Sequence, residues 1–120
     1  MKIFVLEDSM ERIKWFKASC EKQGYELIHT DNVKDALIYL NKDIFDIIFL
    51  DHDLDNKVYV ESANDNTGWQ VARQLHNTIN KTSPVVIHSM NYIGANNMFN
   101  TIKDNGNNNV NKYVFGTFKI

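Results

Sequence analysis

The chain has 120 residues, of which 43% are hydrophobic and one is proline, so it is long enough for one domain with a substantial buried core. Its formal net charge of -2, and the scattering of its 13 lysines and arginines, give no basic field for a nucleic acid duplex. The one cysteine excludes an internal disulfide, and no apolar run reaches the ~20 residues of a membrane helix. We therefore expect a single cytoplasmic domain, 1–120, with no membrane contact.

Short apolar and β-branched runs alternate along the chain with segments in which apolar residues recur at helical spacing. The predicted strands lie at residues 2–6, 25–29, 46–54, 84–89 and 113–118, and the predicted helices begin near residues 10, 32, 68 and 93. Ser9 and Gly24 are the expected N-cap and end of the first helix. This alternation requires right-handed crossovers and a parallel sheet with helices on both faces. We predict an α/β fold with a doubly wound five-stranded sheet of strand order 2-1-3-4-5.

The third predicted strand ends abruptly in ionisable side chains. In an open α/β sheet, ligands bind at the edge formed by the carboxyl ends of the strands, and strands one, three and four are neighbours at the centre. The side chains expected to converge there are Glu7, Asp8, Asp51, His52, Asp53, His88, Ser89 and Asn91. Clustered carboxylates recruit a cation, and oxygen ligands favour Mg²⁺ over zinc. For Glu7 and Asp8, stabilisation of the first helix dipole is the alternative explanation.

The polar stretch 55–67 is long for a connection in a small domain. Loops of this length are often lids or binding loops, although a tolerated surface insertion explains the stretch equally well. Trp69 and Tyr92 border the expected mouth and could cover a pocket or stack on a base, whereas Trp15 is expected in the core. Arg73 could face a phosphate, with a solvated helix position as the alternative.

The order of these residues resembles the receiver domains of response regulators. An acidic pair follows strand one, an Asp ends strand three, a Gly opens helix three and a Ser ends strand four. In receivers the acids hold Mg²⁺, the Asp accepts a phosphoryl group, and the Ser and a strand-five lysine contact it. The resemblance therefore implies a metal site at Glu7, Asp8 and Asp51, and a phosphate contact at Ser89.

One position departs from the receiver pattern. The strand-five lysine is expected near Gly116, where the sequence has none, and Lys112 and Lys119 flank the predicted strand instead. This departure puts ordinary phosphorelay signalling in doubt.

Three motifs resemble a receiver offshoot, the cyclic-phosphate-processing receiver domain. They are LDHDL at 50–54, NTGW at 66–69 and HSMNYIGANNM at 88–98. This resemblance spans nearly the whole chain and implies processing of cyclic phosphates, with catalytic roles for His52, Asp53 and His88. It also places Ser89 and Asn91 at the phosphate. Asn91 and Gly94 open a helix whose N–H groups and small residues are expected to let a phosphate approach closely.

We therefore expect a metal-dependent phosphoesterase that uses Mg²⁺ or Mn²⁺ and acts on a small phosphorylated ligand such as a cyclic nucleotide. Two histidines and an ion are suited to its proton transfers and charge stabilisation. One alternative is a non-catalytic receiver-like module that binds a phosphorylated ligand or a protein partner; another is a divergent phosphorelay receiver phosphorylated at Asp51. Because side chains alternate along a strand, His52 and His88 share a pocket only if the backbone bends at each.

Overall fold

The described residues of this computed structural model, 1–54 and 61–120, form a parallel sheet with helices on both faces. Its five strands are β1 (Lys2–Leu6), β2 (Glu26–Thr30), β3 (Ile47–Leu50), β4 (Val85–Ile87) and β5 (Val110–Lys112). They pair in parallel in the order β2-β1-β3-β4-β5. The predicted fold class and strand order are confirmed.

Four α-helices connect the strands within the described part of the chain. They are α1 (Met10–Gln23), α2 (Val33–Lys42), α3 (Gly68–Gln74), which continues as a 3₁₀ helix over Leu75–Asn77, and α4 (Tyr92–Asp104). Ser9 Oγ accepts a hydrogen bond from the Arg12 N–H, and Gly24 ends α1 with a φ of 74°, which confirms both predicted ends of that helix. None of the helices in the described residues is long and apolar enough to cross a bilayer.

The two faces of the sheet bury different side chains because successive residues of a strand point in opposite directions. On β1, Phe4 and Leu6 join a core with residues of α2, α3 and α4, whereas Ile3 and Val5 pack with residues of α1. Burial of both faces explains why the central strands are nearly continuous apolar runs. Polar residues are therefore left for the strand ends.

The position of the fifth strand differs from the prediction. β5 covers Val110–Lys112, whereas the predicted strand 113–118 lies outside the sheet and contains a turn in which Gly116 has a φ of 90°. The rings of Phe115 and Phe118 pack edge-on against Trp15, at centroid distances of 5.2 and 5.5 Å. These aromatic residues satisfy strand preferences locally, but packing over α1 draws them away from the sheet.

Candidate functional site

Three carboxylates meet at the carboxyl edge of the sheet. Glu7 and Asp8 follow β1 and Asp51 follows β3, and these strands are paired up to Leu6 and Leu50. One oxygen from each carboxylate lies within 4.8 Å of the others. The acidic cavity, as we call the cavity of about 470 Å³ at this edge, is lined by Glu7, Asp8, Ser9, Met10, Glu11, Arg12, Asp51, Asp53, Ser89 and Met90. The structure thus brings the three predicted metal ligands together.

Glu7 is fully buried, yet its surroundings favour the ionised form. Its Oε2 accepts backbone N–H groups of Asp8 and Ser9 at 2.9 and 3.0 Å, and its Oε1 lies 3.0 Å from His88 Nε2 and 3.5 Å from Arg12 Nη1. Burial opposes ionisation, but His88 and the Ser9 N–H outweigh it and lower the pKa of Glu7 to about 2. Glu7 is therefore a fixed negative charge beneath the cavity.

The pKa of Asp51 is shifted in the opposite direction to that of Glu7. Its burial, together with the negative charge of Glu7, raises the pKa of Asp51 to about 9. One of its oxygens accepts the His52 backbone N–H at 2.8 Å. The three carboxylates therefore repel one another when all are ionised, unless a cation neutralises them. A set of ligands made only of oxygen atoms fits a hard divalent ion. Asp8 and Asp51 are the side chains that would hold such an ion, with Glu7 supplying charge behind them.

His88 lies beyond the end of β4 and beneath the acidic cavity. Its ring is fully buried among aromatic side chains, with centroid distances of 5.5 Å to Phe16 and 6.2 Å to Phe115. Nε2 lies within hydrogen-bond distance of Glu7 Oε1, at 3.0 Å, while Nδ1 has no hydrogen-bond partner among the described residues. His88 does not line the cavity, so its geometry is that of a side chain that positions Glu7.

His52 lies in a bend after β3 and is also fully buried. Its Nδ1 lies 2.7 Å from Asp53 Oδ1 and its Nε2 lies 2.8 Å from Ser62 Oγ. The structure does not bring His52 and His88 together, because one ring is bonded to Asp53 and the other to Glu7. Of the LDHDL residues, Asp51 and Asp53 line the acidic cavity while His52 lies behind Asp53.

Asn91 and Gly94 position the His52–Asp53 pair. Asn91 Nδ2 donates to Asp53 Oδ1 at 3.1 Å, and Asn91 Oδ1 accepts the Gly94 N–H at 2.9 Å as the N-cap of α4. A Cβ on Gly94 would overlap the His52 ring. The Gly94 N–H is thus already bonded to Asn91, and the open side of this glycine holds the imidazole; its phosphate contact stays a prediction.

Ser89 and Arg12 are the polar and cationic side chains of the acidic cavity that suit an anion. Ser89 Oγ accepts the Asn91 N–H at 3.1 Å. Lys112, which ends β5, is turned toward α4, where its Nζ contacts Asn96 Oδ1 and lies 5.0 Å from the ring centroid of Phe99. Arg12 was missed by the sequence reasoning; its place on the first turn of the helix that directly follows Glu7 and Asp8 is the signal that could have identified it.

The remaining candidates lie away from the acidic cavity. Trp69 lines a separate cavity and donates its Nε1–H to Thr101, with Arg73 5.7 Å from its ring centroid. Tyr92 is 75% exposed. Of the polar stretch 55–67, predicted as a lid, a binding loop or a surface insertion, residues 55–60 lie outside the described residues. In the remainder, Asn66 Oδ1 accepts the N–H of Val33 on α2.

Solved structures similar to the chain include receiver domains of two-component proteins. The chain is similar to the receiver domain of a sensor histidine kinase from Pseudomonas aeruginosa PAO1, described with a magnesium ion in its active site cleft, at 18% identity, 98% and 86% coverage of the two chains and a TM-score of 0.68. A sensor protein from Polaromonas sp. JS666 has 17% identity, 98% and 85% coverage and a TM-score of 0.70. A response regulator from Burkholderia pseudomallei, described with a phosphorylated aspartic acid, a calcium ion and citrate, has 15% identity, 92% and 58% coverage and a TM-score of 0.66. The fold of the chain is therefore that of the receiver class.

The family is narrower than that class. The family model of the cyclic-phosphate processing receiver domain matches residues 1–104, and the chain belongs to that family. No curated protein sequence matches the chain.

Proposed function

We propose that the chain binds a small cyclic phosphate in the acidic cavity together with a divalent cation and hydrolyses it to the open ester. The observation that carries this proposal is the convergence of Glu7, Asp8 and Asp51 on one cavity. Bound there, Mg²⁺ or Mn²⁺ would neutralise carboxylate and phosphate charge and polarise a phosphorus–oxygen bond. Membership of the cyclic-phosphate family supports the choice of ligand.

Ser89 and Arg12 are the side chains proposed to contact the phosphate. Because Ser89 Oγ accepts the Asn91 N–H, the hydroxyl proton is oriented away from that bond and can be donated to a phosphate oxygen. Arg12 supplies the positive charge that a strand-five lysine supplies in receivers. Its guanidinium lies between Glu7 and the ring of Phe115, 5.0 Å from that centroid.

Asp53 is the proposed general base. Its carboxylate lines the acidic cavity and is held by His52 Nδ1 and Asn91 Nδ2. Water adds its oxygen to phosphorus and passes a proton to Asp53, while the ring phosphorus–oxygen bond breaks and the departing oxygen takes a proton from solvent. His52 and Asn91 act as positioning residues for the base, and His88 acts in the same way for Glu7.

The test follows ring opening by ³¹P nuclear magnetic resonance. Wild-type protein is incubated with 2′,3′-cyclic and 3′,5′-cyclic nucleotides in Mg²⁺, in Mn²⁺ and in EDTA. We expect ring opening only with an ion, and a rate loss on the order of 100-fold or more in Asp51→Asn and Asp53→Asn. Asp65→Asn, which removes the same charge from an exposed residue, keeps the wild-type rate.

Two results would favour other functions. Saturable binding of a cyclic nucleotide without ring opening under any of these conditions would make the chain a non-catalytic module that sequesters its ligand. A stable adduct formed with acetyl phosphate, found on Asp51 by mass spectrometry and missing from Asp51→Asn, would instead make it a divergent phosphorelay receiver.

A further inference from the structure

Asp53, His52 and Ser62 form a hydrogen-bonded series that leads away from the acidic cavity. The two contacts of the imidazole, 2.7 Å to Asp53 and 2.8 Å to Ser62 Oγ, lie within the range of good hydrogen bonds. Because an ionised carboxylate only accepts, Nδ1 carries the ring proton, and Nε2 accepts the hydroxyl proton of Ser62. Carboxylate, imidazole and hydroxyl thus stand in the order by which a serine nucleophile is activated.

From this series we infer that Ser62 is the nucleophile of a second reactive site, which transfers acyl groups from uncharged esters and does not depend on the acidic cavity's ion. His52 is its general base, and Asp53 fixes the tautomer and orientation of that base. The inference concerns a different cavity and a different class of substrate from the proposed phosphoesterase, and His52 and Asp53 take part in both.

The described surroundings hold all three side chains in place. The His52 ring is buried against Gly94, and Asp53 accepts from Asn91 and pairs as a β-bridge with Thr67. Thr67 Oγ1 in turn donates to the Ser62 carbonyl at 2.9 Å. Asn97 Nδ2 donates to Ser62 Oγ at 2.8 Å. Positioning of this kind by surrounding hydrogen bonds is what a reactive group requires.

The cavity at Ser62 determines the class of substrate. It has a volume of about 400 Å³ and is lined by Ser62, Ala63, Trp69, Asn97, Asn100, Thr101 and Asp104. Among these described residues Asp104 carries the one charge, and a negative charge disfavours a phosphate or carboxylate ligand. The Trp69 ring offers an apolar surface for the acyl group, and the side-chain amides of Asn97 and Asn100 offer N–H groups to a carbonyl oxygen.

The reaction balances with water as the second reactant. Ser62 Oγ bonds to the carbonyl carbon while its proton moves to His52 Nε2, and the ester oxygen leaves with that proton as an alcohol. Water then bonds to the carbonyl carbon and passes a proton to Nε2. The acyl–Oγ bond breaks, Ser62 regains the proton, and the carboxylic acid departs.

The test is covalent labelling with a fluorophosphonate probe in EDTA, with the labelled residue located by peptide mass spectrometry. We expect one label on wild-type protein, at Ser62, and none at that position in Ser62→Ala. His52→Gln slows labelling on the order of 100-fold, the usual contribution of a general base. Ser19→Ala, a half-buried serine on α1, is the matched control and labels at the wild-type rate. Circular dichroism checks that each variant is folded.

Two outcomes overturn the inference. One is wild-type protein that stays unlabelled at probe concentrations that label a known serine esterase; the other is a label at any residue except Ser62. Because the wild-type protein alone decides between these outcomes and the expected one, the inference is testable even if His52→Gln does not fold.

Discussion

Arg12 is the residue on which the charge balance of the acidic cavity depends. One of its terminal nitrogens lies 3.5 Å from Glu7, and its guanidinium plane lies 5.0 Å from the ring centroid of Phe115. A guanidinium has five N–H donors in a rigid fork, and its charge persists across the accessible pH range. Its charge also lowers the proton affinity of Asp51, against the larger effects of burial and Glu7. Arg12 therefore attracts an anion and repels a metal ion in the same cavity.

This double role predicts opposite effects of one substitution. In Arg12→Gln we expect the affinity for a 2′,3′-cyclic nucleotide to fall about tenfold, the worth of one hydrogen bond to a charged group. The affinity for Mg²⁺ rises, because a repelling charge is removed. Isothermal titration with each ligand separately measures both, and Arg73→Gln, whose side chain lies at Trp69, is the control. A parallel loss of both affinities would show that Arg12 acts by holding the fold together.

Helix α3 begins against the end of β3, next to the residue that supplies the Asp51 carboxylate. It begins at Gly68, whose N–H donates to the His52 carbonyl at 2.8 Å. A Cβ at Gly68 would overlap the backbone carbonyl of Asp51. The end of β3 and the start of α3 are therefore in direct backbone contact, and glycine is required because no side chain fits between them.

The substitution Gly68→Ala is accordingly expected to affect both stability and metal binding. We expect a loss of about 1–3 kcal/mol in the free energy of unfolding, typical of overpacking, because a backbone segment must move. Mg²⁺ affinity falls as well, since Asp51 moves with its carbonyl. Gly94→Ala is the comparison: it overlaps the His52 ring, so it destabilises the protein but leaves Mg²⁺ binding unchanged. Urea unfolding and Mg²⁺ titration measure the two quantities, and equal Mg²⁺ affinity in wild-type and Gly68→Ala would contradict this account.

Local sequence patterns predict most elements and the acidic cluster, but not the aromatic segment or the orientation of the histidines. Glu7, Asp8 and Asp51 were predictable because parallel pairing places the ends of adjacent strands together whatever the loops do. The position of β5 was not, since packing against Trp15 overrides strand preference. The turn of His52 toward Ser62 depends on a bend after β3, which no residue period encodes.

At this edge of the sheet the burial of two neighbouring carboxyl groups, Glu7 and Asp51, creates an electrostatic conflict that affects the stability of the whole molecule. Asp51 has a pKa raised to about 9, so between its ordinary value of 3.8 and about 9 the folded state holds a proton that the unfolded state has lost. Stability of the ion-free protein therefore falls as pH rises through that window. Glu7 acts in the opposite sense: its lowered pKa stabilises the fold above 4.5, and this contribution is lost as pH falls toward about 2.

The conflict predicts that removing a carboxylate stabilises the ion-free protein. In EDTA, we expect the free energy of unfolding of the wild-type protein to decline between pH ~5 and ~8. At the upper end of this range we expect Asp51→Asn to be more stable than wild type by more than about 1.4 kcal/mol, which corresponds to a tenfold change in proton affinity. Adding Mg²⁺ stabilises wild type and leaves Asp51→Asn nearly unchanged. Urea unfolding at several pH values measures this, with Asp65→Asn as control. If the stability of the wild-type protein in EDTA does not vary with pH, the proposed electrostatic conflict between Glu7 and Asp51 is wrong.

The aromatic segment 113–118 has an electrostatic consequence. Phe115 and Phe118 surround the His88 ring at 6.2 and 6.3 Å, and Phe115 also carries the guanidinium of Arg12. The two side chains that contact Glu7 Oε1, the His88 ring and the Arg12 guanidinium, thus both lie against aromatic rings outside the sheet. Less polar surroundings strengthen the electrostatic attraction of these side chains for Glu7. The aromatic segment therefore influences the electric field at the metal ligands although it contributes no ligand itself.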